Sequence, residues 1–162
     1  MIVANSSPLI NFGKQGALLL LRKCFRSVII PNQVYNEVTK LKDSPGAIAL
    51  GKAISEKLIS VEKVNVNLFL HTKKLGQGEK EAISLAVKHK AVLLIDDDNA
   101  KAYASTLGIE AHGTLHALYI SYLKNIISKG ETIRVFKGML SNGFYISTGL
   151  YSRFLELVEN GN

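Results

Sequence analysis

Cysteine occurs once, at Cys24. A single thiol excludes a disulfide framework and any multi-thiol metal cluster, and it fits a chain kept in the reducing cytoplasm. Cys24 itself reads as a small buried hydrophobe. Tryptophan is absent, and there are only three prolines, Pro8, Pro31 and Pro45. No low-complexity or repeated segment breaks the chain. Apolar runs stop at five residues, as in Ala17 to Leu21, far short of the roughly 20 needed to span a bilayer. The opening MIVANSSPLI lacks the basic region and long apolar run of a signal peptide. The phosphate-binding pattern GxxxxGK[ST] is missing, and Gly76-Gln77-Gly78 reads as a tight turn before a helix instead. Aspartate is scarce too. There are four in all, and three of them, Asp96, Asp97 and Asp98, are adjacent.

What is present is enough for a folded domain. The 162 residues, 47% of them hydrophobic, can bury a real core, which excludes a disordered chain. We expect one domain over residues 1–162, with a core over 1–127 and a helical extension over 128–162. Lys plus Arg is 20 against 13 Asp plus Glu, a net charge of +7 that favours polyanionic partners such as nucleic acid or an anionic membrane, with simple solubility as the plain alternative.

Ala91 to Ile95 is an unbroken apolar run that ends directly in the three aspartates. Such a run reads as a strand buried on both faces of a parallel sheet. Met1 to Ala4 is a further short strand, stopped by Asn5-Ser6-Ser7-Pro8, a set of helix-starting residues. Ser27 to Ile30, Leu58 to Val66 and Ile109 to Ala111 read as the remaining strands. Helices alternate with them. Val34, Tyr35, Val38 and Leu41 predict one buried stripe, Ile48, Ala49, Ala53 and Ile54 a second, and Ala82, Ile83, Leu85 and Ala86 a third. This alternation predicts a three-layer α/β/α sandwich around a central, mostly parallel sheet of four to five strands.

In such a sheet, strand ends and the helix starts after them share one edge. Asn5, Glu37, Glu79 or Glu81, and Asp96 to Asp98 fall at places that can meet there. Gathered carboxylates form a hard oxygen site suited to Mg²⁺ or Mn²⁺. Taken singly, each reads as a solvated residue or a helix cap. Asn5 offers one neutral oxygen where a carboxylate would bind a divalent ion better. Lys73, Lys74, Lys80, Lys88, Lys90 and Lys101 surround the acidic strand and can line a phosphate-binding groove. His112 and His116 are four apart, but Gly113 between them favours a structural role over zinc. Ser6 and Ser7 read as caps. A receiver-like phosphoacceptor would want its acidic pair after the first strand, where this chain has Asn5.

Four segments in order, NSSPLINF, IIPNQVYNEV, LGQGEKEAISLA and LLIDDDNAKAYASTLGIEAHGT, resemble the PIN-domain proteins. Within that family they are most similar to the prokaryotic branch related to VapC-type toxins. The resemblance covers residues 2 to about 127. It implies a PIN-like fold, a Mg²⁺- or Mn²⁺-dependent endoribonuclease acting on single-stranded RNA, a homodimer, and a toxin role with an antitoxin partner. Carried over by position, the family's first aspartate falls on Asn5, a departure. The second acidic ligand falls on Glu37. The third falls on Glu79, with Glu81 as the alternative, and the last on Asp96 and Asp97. Asp98 then lies outside the site as the cap of the next helix. Asn5 also opens an alternative: a catalytically weakened PIN fold acting as an RNA-binding or protein-interaction module.

Overall fold

A computed structural model describes residues 1–70 and 74–160. Lys73 lies outside the described residues. The first strand is β1 (Ile2–Ala4), whose three residues are all fully buried. Helices α1 (Ser6–Lys14) and α2 (Leu18–Cys24) follow, then β2 (Val28–Pro31), α3 (Asn32–Thr39), α4 (Pro45–Ser55) and β3 (Ile59–Glu62). A 3₁₀ turn at Leu68–Leu70 leads to α5 (Gln77–His89), β4 (Val92–Leu94), α6 (Asp98–Thr106) and β5 (Ala111–His112). The chain closes with α7 (Thr114–Leu123), α8 (Lys129–Ser141) and α9 (Thr148–Asn160).

The five strands form one sheet in the order β3-β2-β1-β4-β5, and every pairing is parallel. Val3 pairs with Ile29 on one side and Leu93 on the other, so β1 is the centre. Side chains alternate across the pleat. Ile2, Ala4, Val28, Ile30 and Leu94 face a core shared with Leu9, Phe12, Leu21, Leu50 and Leu118. Val3, Ile29, Leu93 and Ile95 face a second core, with Ala82, Ile83, Leu85, Ala86, Ala100 and Ala104. Two cores on one sheet make the three-layer sandwich. Val135, Phe136, Met139, Phe154 and Val158 of α8 and α9 join the first core, so the C-terminal helices pack as part of it.

Several elements differ from expectation for identifiable reasons. β3 stops at Glu62, not Val66, because its partner β2 ends at Pro31, the residue opposite Glu62. Helix α3 stops at Thr39, so Leu41 falls beyond its stripe and is 73% exposed, while Tyr35 faces outward as well. In α4, Leu50 and Ala47 take the buried positions and Ile48 is exposed. Cys24 is buried as expected, beside the Ser121 hydroxyl at 3.0 Å, and burial pushes its thiol pKa up. Among the described residues no helix is long and apolar enough to cross a membrane.

Candidate active site

Because all strands are parallel, their carboxyl ends share one edge of the sheet. After β1 the chain moves outward through β2 and β3, then returns to the other side of β1 with β4. The reversal places a crevice between the carboxyl ends of β1 and β4, where open α/β sheets bind ligands. Asn5 follows β1 and Asp96 follows β4 by two residues. The Asn5 backbone N–H donates to the Leu94 carbonyl at 2.9 Å, locking the two strand ends together.

Asn5 is 6% exposed, and its side-chain oxygen is buried with no hydrogen-bond partner among the described residues. A buried acceptor left unpaired costs about 1–3 kcal/mol. On one side of it stands Asp96. One Asp96 oxygen accepts from the Thr114 backbone N–H at 2.7 Å and the other from the Thr114 hydroxyl, also at 2.7 Å. Asn11 of α1 adds a longer contact to Asp96 at 3.4 Å. Gly113 permits this: a Cβ there would lie 3.0 Å from Asp96 Oδ1. The same point is 3.6 Å from the Lys101 ammonium, which donates to Asp98 at 3.0 Å.

On the other side stands Glu37. The Ser6 hydroxyl, next to Asn5 in the chain, donates to its carboxylate. Gln33 joins Glu37 to Glu81, donating its side-chain N–H to Glu37 at 3.4 Å and its backbone N–H to Glu81 at 3.1 Å. Gln77 donates to the other Glu81 oxygen at 3.0 Å. Glu37 lies directly over Gly78, where a Cβ would come within 2.5 Å of its Oε1. The second glycine of Gly76-Gln77-Gly78 is therefore the floor on which this carboxylate rests.

Two further acidic side chains serve as helix caps. Glu79 reaches back to the Gly76 backbone N–H at 2.8 Å and caps the start of its own helix. Asp97 accepts from the Ala100 backbone N–H at 2.8 Å and caps α6. The cap expected at Asp98 thus lies one residue earlier, and Asp98 is the first residue of the helix. Lys88 donates to Glu62 at 2.7 Å, with His89 at 2.9 Å from the same carboxylate, and together they hold the Glu62 pKa low. His112 and His116 stack with ring centroids 3.7 Å apart, a packing arrangement and not a pair spread around a metal. Ser6, Gln33, Asn11 and Thr114 are the site residues that sequence reasoning missed. Each holds a carboxylate far from it in sequence, and only Ser6 and Thr114, beside a strand end, carried any signal.

A family model described as PIN domain matches residues 1–160. The chain belongs to the PIN-domain family. No curated protein matches the sequence. Among solved structures, this PIN domain is similar to a PilT N-terminus domain protein from the hyperthermophilic archaeon Sulfolobus solfataricus P2. That match has 22% identity and a TM-score of 0.55, covering 75% of this chain and 94% of the other. A domain of a functionally unknown protein from Methanocaldococcus jannaschii DSM 2661 matches at 23% identity and TM-score 0.49, covering 69% and 89%. PIN domains are generally nucleases and typically use divalent metals.

The donors at this edge suit such an ion. They are all oxygens, as Mg²⁺ and Mn²⁺ prefer. Among the described residues no three His, Cys, Asp or Glu side chains close into a ligand cage. That agrees with an open site, since Mg²⁺ keeps several waters and uses one or two carboxylates. The unpaired Asn5 oxygen, at the end of the strand between those that lead to Asp96 and Glu37, is a further acceptor that such a cation, or its water, would satisfy.

Proposed function

We propose that this PIN domain is a divalent-metal-dependent endoribonuclease that hydrolyses phosphodiesters of single-stranded RNA. Asp96 and Glu37 would hold Mg²⁺ or Mn²⁺ among waters, with Asn5 as a neutral donor and Glu81, tied to Glu37 through Gln33, adding negative charge beside them. In this reading Glu79 and Asp97 serve their helix starts. The observation that carries it is the buried, unpartnered Asn5 oxygen at the carboxyl end of β1, the strand between those that lead to Glu37 and Asp96. Such a metal supplies polarisation of the phosphodiester and a bound water of lowered pKa. The protein's own part is orientation. Thr114 fixes both Asp96 oxygens, and Ser6 and Gln33 fix Glu37, the kind of outer support that keeps a ligand aimed. Lys101 offers an ammonium beside Asp96 for a substrate phosphate, and the surplus of +7 favours the polyanion overall.

The test is cleavage of a single-stranded RNA with Mn²⁺ by the natural chain and by Asp96→Asn. Loss of cleavage in the variant is expected, and equal cleavage by both sinks the assignment. One observation favours a second reading. Asn5 lacks the charge of an aspartate, which suits a weakened PIN fold that binds RNA without turnover. RNA binding without metal and without cleavage selects it. The toxin role, the antitoxin partner and the homodimer rest on the branch resemblance. Growth arrest on induction, relieved by Asp96→Asn, tests the toxin role.

A further inference from the structure

Beside Asp96 a groove of about 320 Å³ runs between α1 and the loop that joins α8 to α9. One wall is a single face of α1, made by Ser7, Ile10, Asn11 and Lys14 at i, i+3, i+4 and i+7. The opposite wall is Gly143, Phe144 and Tyr145. The walls are tied together where the Lys14 ammonium donates to the Asn142 carbonyl at 2.9 Å. That bond uses one of three ammonium donors. Asp96 also lines the groove and accepts from the Asn11 side-chain amide at 3.4 Å. Lys14 lies three residues beyond Asn11, roughly 4.5 Å further along the helix.

Tyr145 is the unusual member. It is 96% exposed, and its neighbour Phe144 packs on the core. The loop is held in place. The Phe144 backbone N–H donates to the Met139 carbonyl at 3.0 Å, and Gly143 takes φ +90°, a conformation few other residues adopt. A fixed loop therefore presents a bare phenol ring at the groove wall. An aromatic face, a lysine and an adjoining acidic centre together match the needs of a single nucleic-acid strand. The base stacks, the backbone phosphate meets the ammonium, and no base edge is read.

From this we infer that the loop between α8 and α9 completes the substrate groove: Tyr145 stacks on an unpaired base of single-stranded RNA next to the cleavage point, and Lys14 binds its phosphate. The inference rests on the nuclease reading for what occupies the groove, but its test does not need turnover. The chain has no tryptophan, so Tyr145→Trp installs a lone fluorescent reporter. The probe is an unstructured oligoribonucleotide, titrated in EDTA. Saturable quenching is expected, with none from a blunt RNA duplex of equal length. Tyr145→Ala weakens binding roughly five-fold or more, Tyr145→Phe retains it, and Lys14→Ala lowers its salt dependence. Circular dichroism confirms that each variant folds. RNA binding without quenching, unchanged affinity in Tyr145→Ala, or no binding at all overturns the inference. Quenching without any Mn²⁺-dependent cleavage upholds this subsite and removes the nuclease reading. Cleavage with an unquenched reporter does the reverse.

Discussion

The carboxylate of Glu37 lies against the backbone of Gly78, so close that a Cβ at residue 78 would meet both of its oxygens within 2.6 Å. Gly78 is buried at the start of α5, and nothing about its place in a helix favours glycine over alanine. Its role is to leave room. Gly78→Ala would displace the end of a flexible side chain and leave the core intact. Thermal unfolding should therefore change little. RNA cleavage should fall roughly 10- to 100-fold, the usual cost of disturbing a ligand's support. Assaying Tm and cleavage on one preparation checks this, and full activity in the variant would take Glu37 out of the site.

Glu79 and Glu81 are two residues apart and do different work. Glu79→Ala removes the one bond to the Gly76 N–H, costing about 1 kcal/mol of stability or less, as helix caps do, while cleavage persists. Glu81→Gln keeps an acceptor for the Gln33 N–H but removes a charge from the site, so stability holds and cleavage drops to background. Urea unfolding beside an activity assay separates the two. The opposite pattern would assign the site's further negative charge to Glu79.

Much of this arrangement was legible and some was not, for reasons of range. The run Ala91 to Ile95 announced its own burial, and β4 within it packs Leu93 and Leu94 into opposite cores. The acidic residues after it were legible because a parallel strand delivers its end to the ligand edge. The Gly76–Glu79 spacing is also that of a helix-start contact, a signal that is local. Ser6, Asn11 and Thr114 were different. Their acidic partners lie 31, 85 and 18 residues away, and no local pattern records a pairing made by strand order. Leu41 and Val66 show the converse failure. The apolar pattern continues at both, but the helix and the strand end first, one at Thr39 and the other where β2 runs out of pairing residues.

His116 gives the fold an acid sensitivity. Burial, reinforced by the stacked His112, lowers its pKa from 6.5, while Glu110 opposes the shift. A histidine with a depressed folded pKa takes up its proton more readily when unfolded. Its contribution is fully present above pH 6.5 and is lost as pH falls through the lower folded value. His116→Gln should flatten this part of the stability curve and leave stability at pH 8 nearly unchanged. Urea midpoints at pH 5.5, 6.5 and 8 for both proteins decide it, and parallel curves would assign the acid loss elsewhere.

Asn5 decides how strongly the site holds a cation. Asn5→Asp adds a carboxylate at a position 6% exposed, at the end of the strand between those that lead to Glu37 and Asp96. Without metal that charge is costly, because burial raises the pKa of the new carboxyl above its usual value of about 3.9. A raised acid pKa means that stability declines as pH climbs from roughly 4 toward the folded value, so the metal-free variant should be less stable than the natural chain at pH 7. Mn²⁺ reverses the sign. The added charge should tighten binding about tenfold, equivalent to about 1.4 kcal/mol. Because binding favours only the folded form, excess Mn²⁺ should raise the variant's Tm more than that of the natural chain. Calorimetric titration with Mn²⁺ gives the affinity and thermal melts with and without the ion give the coupling. Equal affinities in the two proteins would remove Asn5 from the metal's reach.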